Sequence, residues 1–317
     1  MIYYVMSVGK RSYPLIGRKD FLIMVKLDKR RKYYLVLDCE TATLPYAKKY
    51  DGQPTLKQKI AIAKPLIYDL GWSIVDRQGR VYSRKNYLIT EIFSVPEVFN
   101  TAYYCHKRPI YIEKLSKGEI VLTDWNTAIK ELEEDLAAVE CVGAYNSMFD
   151  YKKAIPFTEK YIEMLYSPNY YKWLRSQEQI CEDIVNGFEK DYEKNFDGEN
   201  FILRNNKYPL FDIWGLACRY MLNNDEYKQM CLDNEWKTAS GKYFKTSAEV
   251  AFRYYSKDME FIEAHTAIDD VDIEAQIFSS IIKKNLKHLE IGLIYFPFRE
   301  LGSVEMFEIQ KELNGEW

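Results

Sequence analysis

The sequence predicts an α/β domain in which helices flank a mixed central β-sheet. Runs rich in β-branched and aromatic residues come first along the chain, and segments that alternate strand and helix patterns follow them. This order is typical of a mixed sheet. No internal repeat, low-complexity segment or clear linker interrupts the 317 residues, so one elaborated domain is favoured over two.

Each predicted element follows from a local pattern. DRQG at residues 76–79 is a hairpin turn signal between two apolar runs, and Thr246 followed by Glu249 fits a capping box at a helix start. The predicted strands lie at residues 33–38, 67–75, 81–90 and 141–145, the predicted helices at 127–139, 150–155, 171–188 and 270–287, and residues 209–222 are predicted to form a strand and then a helix.

Changes in this pattern set the predicted domain boundaries. Residues 33–288 form the main domain, and residues from about 156–207 form a helical insertion within it. Residues 1–32 form a basic N-terminal extension that contains nine Lys and Arg; a solvated leader is preferred over a patch that contacts phosphates. Residues 289–317 form a C-terminal extension.

Composition excludes several classes of protein. Hydrophobic residues make up 47% and charged residues 29% of the chain, as in ordinary globular proteins, and no stretch approaches the roughly 18 apolar residues of a membrane span. The net charge of −3 argues against a broadly basic surface but is compatible with a local nucleic-acid-binding patch. The amino terminus lacks a signal-peptide pattern and the six cysteines form no CxxC pair, so we expect a cytoplasmic protein with no membrane partner.

The first candidate metal-binding feature is the acidic pair Asp38 and Glu40 at the end of the first predicted strand. Side chains alternate faces along a strand, so both carboxylates project to the same side. Adjacent carboxylates repel each other unless a cation compensates them, and oxygen ligands favour Mg²⁺ or Mn²⁺ over zinc. Taken alone, the pair supports a metal site and a chance surface pair about equally.

Two further motifs each have an ordinary alternative. In YNSMFD, Asn146 and Asp150 are four residues apart, which places them on one face of a helix start; otherwise Asn146 caps the helix and Asp150 is solvated. In HTAIDD, His265 precedes Asp270 by five residues. A lone histidine is usually a surface or core residue, but its ordinary pKa of about 6.5 allows it to accept a proton from water near neutral pH.

Taken in order, the three motifs resemble those of the DEDDh exonucleases, the family of bacterial polymerase proofreading subunits and ribonuclease T. The matching sequences are DCE at 38–40, NSMFD around Asn146, and HTAIDD at 265–270. The resemblance extends over residues of about 33–282 and is dense only near the motifs. Thr266 occupies the position of the tyrosine in the sister class, so the histidine class is the one resembled.

This resemblance implies a ribonuclease-H-like fold whose sheet carries two divalent ions, Mg²⁺ or Mn²⁺. Asp38, Glu40 and Asp270 would hold the ion that presents the attacking water. Asp38 would also hold the second ion, which Asp150 would reach directly or through water. His265 would act as the general base, a role typically worth about 10²–10⁴ in rate.

The same resemblance also bears on four nearby residues outside the proposed catalytic group. Thr41 would contact the terminal nucleotide through its backbone or hydroxyl, and Leu44 would wedge beside the base, with core packing as its alternative. Asn146 is a third candidate substrate contact. Asp269 is a neighbour rather than a ligand, because only the next aspartate has the required spacing from the histidine.

The expected function is hydrolysis of phosphodiester bonds at single-stranded 3′ ends, with DNA favoured over RNA and 5′-mononucleotides as products. One alternative is a proofreading subunit that binds a DNA polymerase or another replication or repair partner through the insertion or residues 290–317. An exoribonuclease is another. A non-catalytic nucleic-acid-binding protein on the same fold is less favoured, because the chain retains four carboxylates and the histidine.

Residues 100–111 mix aromatic and basic side chains, including Tyr104 and Lys107. Aromatic side chains beside cations suit the stacking of unpaired bases. Because the chain contains 27 tyrosines, coincidence is the preferred interpretation.

Overall fold

The computed structural model describes residues 27, 32–44, 64–185, 199–285, 289, 292 and 298–314. Helices flank a mixed sheet in these ranges, which confirms the predicted α/β class. The strands are β1 Tyr33–Thr43, β2 Pro65–Asp76, β3 Val81–Ile89, β4 Val121–Thr123, β5 Cys141–Ala144, β6 Asn200–Leu203 and β7 Asn206–Asp212.

The sheet is built around β1, and its order is β4-β3-β2-β1-β5-β7-β6. On one side, β1 pairs antiparallel with β2, and β2 pairs antiparallel with β3. On the other side, β1 pairs parallel with β5, and β5 pairs parallel with β7. The two edge strands are β4, parallel to β3, and β6, antiparallel to β7.

Helices and short helical turns connect the strands. The helices are α1 Thr90–Phe93, α2 Pro96–Phe99, α3 Arg108–Ser116, α4 Trp125–Leu136, α5 Ser147–Phe149, α6 Ile155–Leu165, α7 Tyr170–Val185, α8 Ile213–Met221, α9 Asp225–Asp233, α10 Ala248–Ser256, α11 Ala267–Asn285, α12 Phe298–Leu301 and α13 Val304–Asn314. A 3₁₀ turn forms at Cys105–Lys107 and a π-helical turn at Asp150–Ala154. None of the helices in the described ranges is both long enough and apolar enough for a transmembrane span.

Both faces of the central strands are buried. Along β1, Leu35 and Leu37 belong to one hydrophobic cluster, whereas Tyr34 and Val36 belong to a second cluster on the opposite face. A strand covered on both faces is apolar at consecutive positions rather than at alternate ones. This explains why YYLVLD is recognisable as a strand although it lacks a polar face.

The β2–β3 hairpin forms where DRQG predicts it. The amide of Gly79 donates to the carbonyl oxygen of Asp76 at 2.9 Å, and Gly79 has a φ of +76°. The Asp76 carboxylate accepts the amides of Gln78 and Arg80 and so stabilises the turn. Glycine adopts this left-handed conformation without the steric penalty that a Cβ would bring.

A second glycine lets helix α11 approach the sheet closely. A Cβ added to Gly71 would lie only 2.8 Å from the backbone nitrogen of Ile268. Gly71 is the register partner of Asp38 across the β1–β2 ladder. The missing side chain on β2 therefore allows the first turn of α11 to pack next to the acidic part of β1.

The predicted insertion contributes to the core and to the sheet. Thr158, Tyr161 and Ile162 of α6 are buried, and the amide of Ile67 donates to the Thr158 hydroxyl at 3.0 Å. Strand β6 was not predicted; it extends the sheet by pairing with β7. Residues 186–198 of the predicted insertion lie outside the described residues.

The two predicted extensions are described only in part. Of the basic N-terminal extension, Leu27 and Lys32 alone are described, and Lys32 forms an exposed ion pair with Glu140. In the C-terminal extension, Val304 and Phe307 of α13 are buried in the second hydrophobic cluster. Most of the apolar run at 291–298 lies outside the described residues.

The starts of α10 and α11 are among those that differ from their predicted positions. The N-cap of α10 is Ser247 rather than Thr246, and its side chain makes no capping hydrogen bond. The Thr246 hydroxyl instead accepts a hydrogen bond from the indole of Trp214, so the predicted capping box is wrong. Helix α11 begins at Ala267, three residues before the predicted start. A helix end set by tertiary contacts is not visible in a local motif.

Candidate active site

All five residues predicted to be catalytic line one open pocket of about 630 Å³. They come from β1, from the turn after β5 and from the start of α11, so three separated motifs meet at one place. The predicted residues that line the pocket are Asp38, Glu40, Asp150, His265, Asp270 and Asn146.

Strand β1 supplies the acidic pair. Asp38 is opposite Gly71 in the ladder and Glu40 is opposite Asp69, and the regular register ends directly after Glu40. Asp38 and Glu40 are half-buried, and both line the pocket, as the two-residue period of a strand requires.

The turn after β5 supplies Asp150 and Asn146. Asp150 is only 2% exposed, and its Oδ1 accepts a hydrogen bond from the thiol of Cys39 at 3.0 Å. Asn146 has a left-handed φ of 72° and precedes α5, but its side chain makes no capping hydrogen bond. Asparagine tolerates this conformation better than most residues. Asn146 therefore does not cap the helix through its side chain, and Asp150 is buried rather than solvated.

The start of α11 supplies His265 and Asp270. The buried carboxylate of Asp69 on β2 accepts the amide of Ala267 at 3.0 Å and the side-chain amide of Asn86. It thereby satisfies a donor that the first turn of a helix leaves free. Asp69 lies next to Glu40 in the ladder pattern, so this contact fixes the start of α11 relative to the acidic pair.

Glu40, His265 and Asp270 form a group that could hold a metal ion. Each offers one ligand atom, and these atoms lie within 4.8 Å of one another. The Oδ1 atom of Asp270 is buried and has no hydrogen-bond partner among the residues that the structure describes. A buried unpaired carboxylate oxygen is unfavourable unless a partner such as a cation completes it.

The carboxylates in the pocket have raised pKa values. Burial is the largest cause for each, and it raises the pKa of Asp150 to about 7 and that of Asp270 to about 8. The pKa of Asp38 is raised well above its usual value by burial and then by the charges of Glu274, Asp150, Asp270 and Glu40. The site thus concentrates carboxylates whose ionised forms a bound cation would stabilise.

His265 sits in a different electrostatic environment from the acids. Burial and the nearby Lys107 lower its pKa, and Glu249 opposes them. Its ring stacks on Tyr104 with 4.5 Å between centroids, and its Nδ1 lies 3.7 Å from Oε2 of Glu263. A lowered pKa keeps the imidazole neutral near pH 7, the form that can accept a proton.

Glu274, Glu263 and Tyr104 line the pocket but were not assigned to the site from the sequence. Glu274 is 3% exposed and lies one helical turn after Asp270, a spacing that becomes informative once the helix boundary is known. Glu263 reaches the pocket two residues before the histidine. Tyr104 comes from the segment whose aromatic and basic mixture was attributed to coincidence, and Lys107 of that segment donates to the carbonyl of Ala264.

The two weaker substrate-contact predictions fall outside this group. Leu44 is fully buried in the larger hydrophobic cluster, so the alternative of core packing describes it. Thr41 follows the register shift on β1 and is half-buried. Among the described residues, neither lines the pocket.

Aromatic side chains form the other part of the pocket lining. Trp214 of α8 lies near Phe298 of α12, with ring centroids 5.8 Å apart. Tyr104 and Phe149 also line the pocket, and within the described ranges its lining includes no Lys or Arg. An anionic substrate therefore meets apolar faces and carboxylates rather than fixed positive charges.

No family model, curated protein or solved structure matches this chain significantly.

Proposed function

We propose that this chain is a metal-dependent 3′→5′ exonuclease that hydrolyses the terminal phosphodiester bond of single-stranded nucleic acid, with DNA favoured over RNA. The observation that carries the proposal is the convergence of Asp38, Glu40, Asp150, His265 and Asp270 in one pocket. The proposed fold is ribonuclease-H-like, which agrees with the mixed sheet, and the proposed location is the cytoplasm.

The donor set fits Mg²⁺ or Mn²⁺. The pocket offers several carboxylates with a single histidine, and hard divalent cations prefer oxygen ligands. The unpartnered Oδ1 of Asp270 is an acceptor without a donor, as a cation ligand would be. Asp38, Glu40, Asp150 and Asp270 would hold the ions, which would supply charge stabilisation to the attacking and leaving oxygens.

His265 would accept the proton of the attacking water. Its lowered pKa provides a neutral imidazole, and its position within 4.8 Å of Glu40 and Asp270 places it beside the proposed ion site. Stacking on Tyr104 fixes the plane of the ring. General-base catalysis of this kind contributes about 10²–10⁴ in rate.

The aromatic lining supports an unpaired nucleic-acid end as the substrate. Trp214, Phe298 and Phe149 offer flat apolar surfaces next to the acidic residues, and base–aromatic stacking is worth about 1–3 kcal/mol per base. Phosphate groups would approach these carboxylates only with cations between them. The combination favours a phosphodiester with exposed bases over a neutral small molecule.

The decisive test gives 5′-labelled single- and double-stranded DNA and RNA to wild type and to Asp38→Asn, with Mg²⁺, with Mn²⁺ and with chelator. Asn keeps the shape of the side chain but removes the charge that a cation needs. We expect a ladder of 3′-shortened products from wild type in the presence of metal only. Asp269→Asn is the matched control, because Asp269 is paired with Lys114 outside the proposed ligand set.

Two results would contradict the exonuclease proposal: no metal-dependent ladder on any substrate, or equal ladders from wild type and Asp38→Asn. The four substrates also decide between a deoxyribonuclease and an exoribonuclease. Co-purification with a polymerase would favour the proofreading subunit over a free-standing enzyme.

A further inference from the structure

Glu274 is an acidic residue of the same pocket that lies outside the ligand set proposed above. It lies four residues after Asp270 on α11, so both carboxylates project from one face of the helix. Glu274 is only 3% exposed, and it lines the pocket together with Asp38 and Asp150. None of the three sequence motifs includes it.

The surroundings of Glu274 are acidic. After burial, the charge of Glu274 is the largest cause of the raised pKa of Asp38. The charge of Asp150 is, in turn, the largest cause after burial of the raised pKa of Glu274. Within the described residues, no Lys, Arg or His forms an ion pair with Glu274. A carboxylate buried among carboxylates is unfavourable unless it is protonated or shares a cation with them.

One carboxylate oxygen of Glu274 already has a partner. The amide of Tyr145 donates to Oε2 at 3.0 Å, which ties α11 to the turn that carries Asp150. An ionised carboxylate has about four acceptor positions on its two oxygens, so this bond leaves most of its capacity unused. The contact holds the side chain in place in the pocket.

A second observation points to a ligand at this place. Asp270, one turn before Glu274, is 5% exposed, and its buried Oδ1 has no hydrogen-bond partner in the described part of the chain. The unpartnered oxygen of Asp270 and the carboxylate of Glu274 lie on the same face of the helix. Among the described residues, neither has a cationic partner. A divalent cation would complete both.

We propose that Glu274 is a fifth carboxylate of the metal centre and binds a divalent cation in the pocket that it lines with Asp38, Asp150 and Asp270. This assignment rests on the proposed function, because it adds a ligand to that same site. The competing role is purely structural: Glu274 would only anchor the Tyr145 backbone.

Glu274→Gln separates the two roles. The amide oxygen of Gln can still accept the Tyr145 amide, whereas the charge is lost. Asp272→Asn is the matched control, since Asp272 lies on the same helix and pairs with Arg84 instead. Mn²⁺ binding to wild type, both variants and Asp38→Asn is measured by calorimetry and by electron paramagnetic resonance.

We expect Glu274→Gln to weaken Mn²⁺ binding about tenfold or more, or to remove one bound ion, while Asp272→Asn binds as wild type does. Circular dichroism without metal shows whether each variant is folded. Wild-type Mn²⁺ affinity and stoichiometry in folded Glu274→Gln would overturn the proposal and leave the anchoring role.

A measurement on wild type alone covers the case in which Glu274→Gln does not fold. Fe²⁺ replaces Mn²⁺, and ascorbate with peroxide then cleaves or oxidises the chain next to the bound ion. Modification at residues 273–275 as well as near Asp38 is expected; modification near Asp38 without any at 273–275 would contradict the assignment.

Failure of this inference and failure of the proposed function are distinguishable. If wild type degrades nucleic acid and Glu274→Gln binds Mn²⁺ normally, only the role of Glu274 is wrong. If wild type binds Mn²⁺ through Glu274 but degrades no nucleic acid, the metal ligand stands and the exonuclease is wrong. If wild type binds no Mn²⁺, both are wrong.

Discussion

The carboxylates on the two faces of the amino-terminal half of α11 differ in their partners. On the outer face, Asp269 lies 2.6 Å from the Lys114 ammonium, and Asp272 lies 2.8 Å from the Arg84 guanidinium. On the inner face, Asp270 and Glu274 are buried, and within the described chain neither pairs with a Lys or Arg.

The pKa values follow the same division. The pKa of Asp269 is lowered because the favourable contacts of Lys114, Thr266 and Arg84 outweigh its burial, whereas burial and neighbouring acids raise the pKa of Asp270 to about 8. The protein therefore supplies its own cations where a carboxylate supports the fold. Among the described residues, it pairs neither Asp270 nor Glu274 with a Lys or Arg, and there we propose that an external cation binds.

The largest expected effect separates the two neighbouring aspartates. Asp270→Asn should lower the exonuclease rate about 10³-fold or more, because several kcal/mol of metal-dependent stabilisation would be lost. Asp269→Asn should leave the rate within about threefold and reduce stability by about 1 kcal/mol, since it removes a partly exposed ion pair. Single-turnover rates and thermal unfolding of both variants measure these effects.

Equal losses of activity in the two variants would remove the distinction between the faces of α11. Normal activity in Asp270→Asn would exclude this residue as a metal ligand. Because the substitutions are identical and adjacent, a general effect on helix α11 would appear in both.

The sequence specified the acidic pair better than the rest of the site. Asp38 and Glu40 are neighbours along one strand, so the local two-residue period was enough to place them together. Glu274 and Asp69 depend on where α11 begins and on which strand it packs against. Both features depend on the tertiary structure, so a short sequence motif does not predict them.

The fold shows the same division between local and long-range information. The β2–β3 hairpin follows from DRQG, whose Gly79 and Asp76 form the turn themselves. The edge strand β6 pairs with β7 through a two-residue turn at Arg204 and Asn205, both with positive φ, although neither is glycine. Without a glycine, this hairpin lacked a strong sequence signal.

The second-largest expected effect is that of replacing His265, the proposed general base. His265→Ala should lower the rate by about 10² or more and, at saturating Mn²⁺, should remove the part of the acidic limb of the pH–rate profile that protonation of the base causes. The limb arises because protonation inactivates a base, and the lowered pKa of His265 places it below the ordinary histidine value. Rates measured between pH 5 and pH 9 test this.

His106→Ala is the matched control for this variant, because its exposed ring lies near the same tyrosine, 6.2 Å from Tyr104. Mn²⁺ affinity distinguishes a base from a ligand. Retained affinity in His265→Ala agrees with the base, whereas loss of affinity equal to that of Asp38→Asn would make His265 a metal ligand instead.

The smallest expected effect is on the stability of the metal-free protein. Asp150 and Asp270 have pKa values of about 7 and about 8 in the folded chain, well above the usual value near 3.8. Between these limits the folded state binds more protons than the unfolded state, so the free energy of unfolding falls as pH rises from about 4 to 8. The melting temperature without metal should therefore be lower at pH 8 than at pH 5.5.

Asp270→Asn sharpens this last prediction, because it removes one of the groups that must lose a proton inside the pocket. Its metal-free melting temperature at pH 8 should exceed that of wild type by about 3 °C or more. Mn²⁺ should stabilise wild type more at pH 8 than at pH 5.5, because the cation competes with protons for the same oxygens. A wild-type melting temperature that rises steadily to pH 8 without metal would mean that the inner carboxylates are compensated within the protein, as the outer ones are.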